Sequence, residues 1–142
     1  MRTKWHIFIL LVMLTSCKDH GLQPLSTDPY LRWRSYDLHN YTVDQIRMCF
    51  CPDGGEAMRI SVQSDTIASV TRLSNGLSVP GPELRLYLTV ESLFTVIHGS
   101  TTDSLVIRYN EVYGYPEMLD INPQLHPVDG GVLYTTSNLR IQ

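Results

Sequence analysis

The stretch from residue 57 to residue 63 alternates between apolar and polar side chains, and this two-residue period, with the turn that follows it, constrains the fold more than any other feature. Successive side chains of a strand point to opposite faces of a sheet. As a strand, residues 57–63 would place Met58, Ile60 and Val62 on one face. Arg59, Ser61 and Gln63 would lie on the other. Ser64-Asp65 predicts a tight turn, after which 66–73 returns as a second strand. The pattern therefore predicts a hairpin with one buried face.

Similar patterns elsewhere predict four more strands and two helices. The six expected strands are 41–49, 57–63, 66–73, 104–110, 116–122 and 132–139. Asp28-Pro29 is a helix start signal before 30–38, and Thr89 caps a second expected helix over 90–98. The order is helix, three-strand meander, helix, three strands. It predicts an α+β fold with an antiparallel sheet and helix packed on one face, and a second sheet layer is the alternative.

Some segments have weaker patterns. Tyr41 to Cys49 carries polar residues on both of its expected faces, which favours a strand at the edge of the sheet. Residues 74–83 contain two Gly and two Pro and are expected to form a loop, with a short extended piece over 84–88. Trp33 is expected on the inner face of the first helix, as a core residue.

Residues 1–16 have the order of parts found in an export signal. Arg2 and Lys4 form a short positive region, and eight apolar residues, Ile7 to Leu14, follow. This run is far shorter than the roughly 20 residues of a membrane-spanning helix. The small residues before Cys17 resemble the lipobox of bacterial lipoproteins, in which the leader is cleaved before a cysteine that then receives lipid. The alternative is an ordinary secretory signal with an incidental cysteine.

The chain after the leader divides into a tether and one domain. Residues 17–28 lack apolar periodicity and are expected to link the lipidated Cys17 to a single α+β domain over 29–142. Lys18-Asp19 weakly resembles the surface-export signals of some bacterial lipoproteins. These features predict a protein of the bacterial cell envelope, lipid-anchored to a membrane and facing either the periplasm or the surface.

Net charge bears on the partners of the mature chain. Without residues 1–16, nine Lys and Arg face fourteen Asp and Glu, a net charge of −5. A mildly acidic chain without a basic cluster is a poor candidate for binding nucleic acid. We therefore expect the membrane as a partner through the anchor at Cys17, and an envelope protein as a second partner.

Cys49-Phe50-Cys51-Pro52 contains the two thiols that remain if Cys17 is lipidated. Close thiols tend to pair in oxidising compartments. In a regular strand their Cα atoms would be about 6.6 Å apart, near the long limit for a disulfide, so a bend is needed at this point. Such a small ring adds little stability and is more easily reduced. We therefore expect a structural disulfide between Cys49 and Cys51 at the end of the strand. The alternatives are a redox-active pair, a Cu(I) or Zn(II) site, and free buried thiols.

Other candidate sites are weaker. Tyr113 and Tyr115 flank Gly114, and tyrosine is common at binding surfaces, although the same residues suit a tight turn with the two rings packed on its sides. The histidines are scattered, with no metal-ligand spacing between them. The sequence also lacks a nucleophile motif and a phosphate-binding glycine loop. We expect no catalytic residues, no cofactor and no metal.

Several short motifs together resemble a known family. They are Trp33, Cys49-Phe50-Cys51-Pro52, the hairpin 62–70, the helix 89–97, Gly114-Tyr115-Pro116 and Leu119-Asp120-Ile121-Asn122. In this combination the chain resembles the bacterial exported proteins and lipoproteins of domain of unknown function family 6174, over about residues 29–140. One departure is Ser64-Asp65, where the family usually has Asp-Gly.

The resemblance implies an envelope location and a domain type, and it supplies no activity. Two hypotheses follow. The first is a non-enzymatic binding or structural module displayed on a lipid anchor. The second is a thiol-based metal-binding or redox protein that uses Cys49 and Cys51.

Overall fold

The computed structural model describes residues 26–128 and 130–142. Its strands are β1 (Tyr41–Met48), β2 (Ala57–Gln63), β3 (Thr66–Arg72), β4 (Leu105–Tyr109), β5 (Pro116–Ile121) and β6 (Val132–Ile141). Its helices are α1 (Pro29–Ser35) and α2 (Val90–Gly99), and two 3-10 turns cover Gly81–Leu86 and Pro123–Val128. The strands form one antiparallel sheet in the order β3-β2-β1-β6-β5-β4. The predicted α+β fold with six antiparallel strands is confirmed.

The predicted hairpin is the pair β2 and β3. Ile60 pairs with Val70 across it, and both side chains are fully buried. Ser64 and Asp65 have φ angles of 48° and 64°. Two consecutive positive φ angles are those of a type I′ turn, whose twist matches that of the flanking strands. The hairpin therefore keeps this turn although neither residue is glycine.

Both predicted helix starts are confirmed by their caps. Asp28 Oδ1 accepts a hydrogen bond of 2.8 Å from the backbone N–H of Leu31. Thr89 Oγ1 accepts one of 3.1 Å from the backbone N–H of Ser92. These side chains satisfy backbone donors that the first turn of a helix leaves without a partner. α1 ends at Ser35, three residues before the predicted end.

The core lies between one face of the sheet and the helices. β3 and β4 are the two edge strands, so the chain from β3 to β4, which includes α2, crosses this face. Buried aliphatic and aromatic side chains fill the space between the layers: Trp33, Val43, Met58, Ile60, Val62, Val70, Val90 and Phe94. The Trp33 ring meets the Tyr41 ring edge-on, with centroids 5.4 Å apart. Trp33 is therefore a core residue, as predicted.

The expectation that β1 is an edge strand is wrong. β1 pairs with both β2 and β6 and lies in the interior of the sheet. Its polar residue Asp44 is only 7% exposed, because Arg59 Nε lies 2.7 Å from one carboxylate oxygen and Asn138 Nδ2 donates to the other at 2.9 Å. The hydrogen bonds from Arg59 lower the pKa of Asp44. Partners on neighbouring strands thus allow a polar residue in a central strand.

The extended piece expected over 84–88 is also wrong. The chain forms the 3-10 turn Gly81–Leu86, with Pro82 among its first residues. The backbone N–H of Glu83 donates to the carbonyl oxygen of Pro80 at 3.0 Å, and that of Tyr87 donates to the carbonyl oxygen of Leu84 at 3.1 Å. Proline fixes a φ angle suited to helical turns, which favours this conformation over a strand.

We name the two ends of the domain after the first and last residues of β1, Tyr41 and Met48. At the Tyr41 end, α1 packs on the turn between β4 and β5, where the Tyr36 hydroxyl donates to the carbonyl oxygen of Val112 at 3.2 Å. Ser26 is tied to α1 by a 2.9 Å hydrogen bond from Arg32 Nε to its carbonyl oxygen, so the chain enters the domain at this end. Met48 lies at the other end, about 23 Å away by the rise of an eight-residue strand.

Candidate functional site

The site that the sequence singles out is the connection between β1 and β2, residues 49–56, which we call the CFCP loop. β1 ends at Met48, and the chain bends at Cys49 and Phe50. Cys49 and Cys51 are paired as a disulfide, and their Cα atoms are 5.3 Å apart. This is shorter than the separation in a straight strand and lies within the usual disulfide range. The bend thus brings the two cysteines closer together than they would be in a straight strand.

The backbone of the CFCP loop is fixed by a tight turn. The N–H of Gly54 donates to the carbonyl oxygen of Cys51 at 3.0 Å, and that of Gly55 donates to the carbonyl oxygen of Arg47 at 2.8 Å. A Cβ atom on Gly54 would collide with the carbonyl oxygen of Cys49. Only glycine therefore allows the chain to return this closely past the first cysteine.

A carboxylate inside the loop ties it to the rest of the domain. Arg72 Nη2 donates to the two oxygens of Asp53 at 3.0 and 3.1 Å, and the Tyr87 hydroxyl donates to Oδ2 at 2.9 Å. The hydrogen bond from Tyr87, followed by that from Arg72, lowers the pKa of Asp53. Burial, together with this carboxylate, raises the pKa of Tyr87 to about 12. Asp53 is thus ionised at neutral pH and joins three separate chain segments.

Arg47 supports the same loop from β1. Its Nη1 donates to the carbonyl oxygen of Leu86 at 2.7 Å, and its Nη2 donates to that of Pro52 at 2.9 Å. Its guanidinium carbon lies 5.7 Å from the centroid of the Tyr87 ring, within the range of a cation–π contact. The arginine therefore links the proline of the loop to the 3-10 turn Gly81–Leu86.

Phe50 projects from this fixed loop into solvent. It is 80% exposed, and the neighbouring Met48 is 51% exposed. Together with Cys49, His126 and Gly131 they line an open cavity of about 260 Å³. The cavity lies at the Met48 end of the sheet, opposite the end at which the chain enters. It combines a largely apolar wall with one disulfide-bonded cysteine and one imidazole.

His126 reaches the cavity from the 3-10 turn Pro123–Val128. Its Nε2 lies 2.9 Å from Asp120 Oδ1, at ion-pair distance but without hydrogen-bond angles, and both atoms are buried. Nothing in the sequence associates this histidine with the cysteines, which lie 75 or more positions away. The pairing of β6 with β1 brings them together, because Leu133, seven positions after His126, pairs with Met48, the residue before Cys49.

The tyrosines expected at a binding surface have different positions. Tyr115 is 4% exposed, and its ring packs against Trp33 with centroids 6.2 Å apart, so it belongs to the core and not to a surface. Tyr113 is partly exposed and packs against Tyr36 at 4.8 Å. Neither residue lies near the CFCP loop, because both belong to the turn at the Tyr41 end. Cys17 lies outside the described residues.

A second cavity, of about 240 Å³, opens at the Tyr41 end between α1, α2 and the β2–β3 turn. His39 lies there between two carboxylates, with Nδ1 2.8 Å from Asp65 Oδ2 and Nε2 3.2 Å from Asp37 Oδ1. The hydrogen bond to Asp65 is the main cause of the raised pKa of His39. These contacts join the β2–β3 hairpin to the segment between α1 and β1.

Within residues 26–128 and 130–142, no group of three or more His, Cys, Asp or Glu side chains is placed to hold a metal ion. The helices found there are too short or too polar to cross a bilayer.

Comparison with known proteins gives one match. Residues 29–141 match the family of unknown function DUF6174, which is nearly the whole described domain. Neither the curated proteins nor the solved structures contain a match to this chain. Because the family covers most of the chain, including the CFCP loop and both helices, the chain belongs to the family of unknown function DUF6174.

Proposed function

We propose that this chain is a lipid-anchored protein of the bacterial cell envelope whose domain binds another envelope protein, without catalysis, through the surface around Phe50. The observation that carries the proposal is an 80% exposed phenylalanine on a loop fixed by a disulfide and by the Asp53 hydrogen bonds. An aromatic side chain on a fixed loop beside a cavity is typical of interface residues, because the backbone loses little conformational freedom on binding.

The position of the anchor favours a protein partner over the lipid surface. Eight residues lie between Cys17 and Ser26, so even a fully extended chain of nine Cα-to-Cα steps spans at most about 30 Å. The chain enters the domain at the Tyr41 end, and Phe50 lies at the other end of β1. An anchor at Cys17 would thus hold the first end towards the membrane and present Phe50 away from it. The net charge of −5 after the leader also disfavours an anionic lipid surface.

The anchor is tested separately from the binding surface. Cys17→Ser removes the only residue at which the lipobox pattern places a lipid. In the producing bacterium, the wild-type chain should fractionate with membranes and carry the mass of the lipid chains, whereas Cys17→Ser should appear in soluble fractions without that mass. A wild-type chain that lacks any lipid mass would contradict the anchor.

The binding surface is tested by crosslinking in cells. A photoreactive residue at Met48 should form adducts with a protein, and Phe50→Ser should abolish them. Leu77→Ser provides the matched control, since Leu77 is 62% exposed on a different loop, and it should leave the adducts unchanged. Adducts that survive Phe50→Ser, or adducts with lipid alone, would contradict the proposal, as would a substrate turned over by the purified chain.

A further inference from the structure

We propose that the Cys49–Cys51 disulfide exchanges with a thiol of the protein that docks at the cavity beside Phe50, and that Cys49 is the sulfur attacked. The identity of the thiol donor rests on the proposed binding function. The chemical step does not, because it is a property of the CFCP loop and can be measured with small thiols.

The cavity provides access to one of the two cysteines. Cys49 lines it together with Met48, Phe50, His126 and Gly131, and Cys51 is not among the lining residues. Its volume of about 260 Å³ is the space of several water molecules, enough for an entering side chain. Both cysteines are also partly exposed. Exposed disulfides are the ones that take part in exchange, since the attacking thiolate must reach a sulfur.

The loop holds its shape through contacts that do not involve sulfur. Asp53 accepts hydrogen bonds from Arg72 and Tyr87, and the Gly54 N–H donates to the carbonyl oxygen of Cys51. Opening the disulfide removes none of these donors or acceptors. The reduced thiols therefore remain close together, and closure of the disulfide is an intramolecular step between prearranged groups. This arrangement makes opening and closing reversible without unfolding.

The ring that the disulfide closes is also too small to stabilise the fold much. Cys49 and Cys51 enclose a single residue, so the bond removes little conformational freedom from the unfolded chain. A disulfide that contributes little to folding, at the rim of an exposed cavity, fits an exchange role better than a structural one.

The exchange proceeds in two balanced steps. A partner thiolate attacks Cys49 Sγ, the bond to Cys51 breaks, and Cys51 leaves as a thiolate that takes up a proton. A second thiol of the partner then loses its proton and attacks the partner's own sulfur in the mixed disulfide. This step releases Cys49 as a thiolate, which is protonated, and closes a disulfide in the partner. Two electrons pass from the partner dithiol to the cysteine pair, and the reverse direction would reduce a partner disulfide.

The direct test uses reduced glutathione, a monothiol, on the folded wild-type protein. After brief exposure the sample is quenched with acid, blocked with N-ethylmaleimide and mapped by peptide mass. We expect glutathione on Cys49 and maleimide on Cys51, with the circular dichroism spectrum unchanged. Glutathione found mainly on Cys51, or a disulfide that opens only when the protein unfolds, would overturn the proposal.

Single-cysteine variants, each made together with Cys17→Ser, provide a second measurement. Adding Cys51→Ser leaves Cys49 as the one thiol of the chain, and adding Cys49→Ser leaves Cys51. With 5,5′-dithiobis(2-nitrobenzoate), the Cys49 thiol should react several-fold faster than the Cys51 thiol, and each reaction should reach one equivalent. Equal rates would contradict preferential access through the cavity.

The outcomes separate exchange from docking. If glutathione opens the pair at Cys49 but Met48 forms no protein adduct, the chemical step stands and the docking function fails. If protein adducts depend on Phe50 but the disulfide resists glutathione in the folded state, the docking function stands and the exchange proposal fails.

Discussion

Arg72 and Asp53 form an ion pair, with Nη2 3.0 Å from Oδ1, that connects the end of β3 to the middle of the CFCP loop. The two side chains are 24% and 20% exposed, so the pair is largely shielded from solvent. The Tyr87 hydroxyl donates to the same carboxylate from the chain that crosses the covered face of the sheet. The loop that carries the two cysteines is thus fixed from two directions by one carboxylate.

Asp53→Asn should destabilise the domain. An amide presents one acceptor instead of two and no charge, which weakens the hydrogen bonds from Arg72 and Tyr87, and the loss should be about 1–3 kcal/mol. Urea unfolding at pH 7 measures it. Asp37→Asn is the matched control, because Asp37 also has a positive φ of 51° but its side chain is 85% exposed. Equal effects of the two substitutions would contradict the role given to Asp53.

Acid should weaken the domain through two carboxylates. Asp44 and Asp53 have lowered pKa values, caused first by the hydrogen bonds from Arg59 and Tyr87 respectively. When the folded pKa is lower than the unfolded one, the stabilisation is complete above the unfolded pKa and is lost as the pH falls through the folded value. The free energy of unfolding should therefore decrease below about pH 4.

The variants Asp44→Asn and Asp53→Asn should show a smaller decrease between pH 5 and pH 2 than the wild type, and the exposed Glu111→Gln should behave as the wild type does. Urea midpoints across this pH range provide the measurement. A wild-type slope that both Asn variants retain in full would refute the assignment.

Alternation was sufficient to predict most of the sheet but not the position of β1 within it. Apolar and polar faces identified β2 to the residue, because one of its faces is solvated, and the Ser64-Asp65 turn then identified β3 to within one residue. The polar residues of β1 suggested an edge strand, and the reason for the error is that Asp44 obtains partners from β2 and β6, which lie far from it in sequence. A hydrogen-bonded buried polar group and an exposed one look alike in a sequence.

The candidate site was predictable in part for the same reason. The spacing of Cys49 and Cys51 and the glycines after Pro52 indicated a bent loop. Arg72 and His126 were missed, since only the register of β3 and β6 brings them beside the loop. The exposure of Phe50 could not be read from the sequence either, because an aromatic residue between two cysteines suits a core as well as a surface.

Glu91 should be required for the junction between α1, β1 and α2. Its Oε1 accepts from Trp33 Nε1 at 2.9 Å, and its Oε2 accepts from the Tyr41 hydroxyl at 2.8 Å. Glu91→Ala would leave two buried donors without their acceptor, each costing about 1–3 kcal/mol. Glu91→Gln retains one carbonyl oxygen and should cost less. Thermal unfolding measures both, with Glu111→Ala as the surface control, and a Glu91→Ala variant as stable as that control would contradict the prediction.

Gly114→Ala should destabilise more than Gly76→Ala, although the two glycines have similar φ angles of 83° and 74°. A Cβ atom on Gly114 would collide with the carbonyl oxygen of Pro29, whereas a Cβ atom on Gly76 has open space around it. Positive φ alone makes alanine unfavourable by about 1 kcal/mol or more at either position. The difference between the variants in urea unfolding isolates the collision with α1, and equal losses would indicate that α1 moves freely aside.

Removal of the disulfide should cost little, because the unfolded chain loses little freedom to a ring that encloses one residue. The loop-entropy relation gives about 1.5 kcal/mol for the three residues from Cys49 to Cys51, roughly half the value for a 15-residue loop. The double variant Cys49→Ser/Cys51→Ser should therefore fold and unfold cooperatively in urea, with a loss near this value. It should also keep Tyr87 and Asp53 in contact, since their hydrogen bond does not involve sulfur.

Adding Asp53→Asn to this variant should then cost as much as it does in the wild type, because the disulfide acts on the unfolded state and the carboxylate acts on the folded state. A much larger combined loss would contradict this, because it would mean that the disulfide and the carboxylate hold the CFCP loop jointly in the folded state.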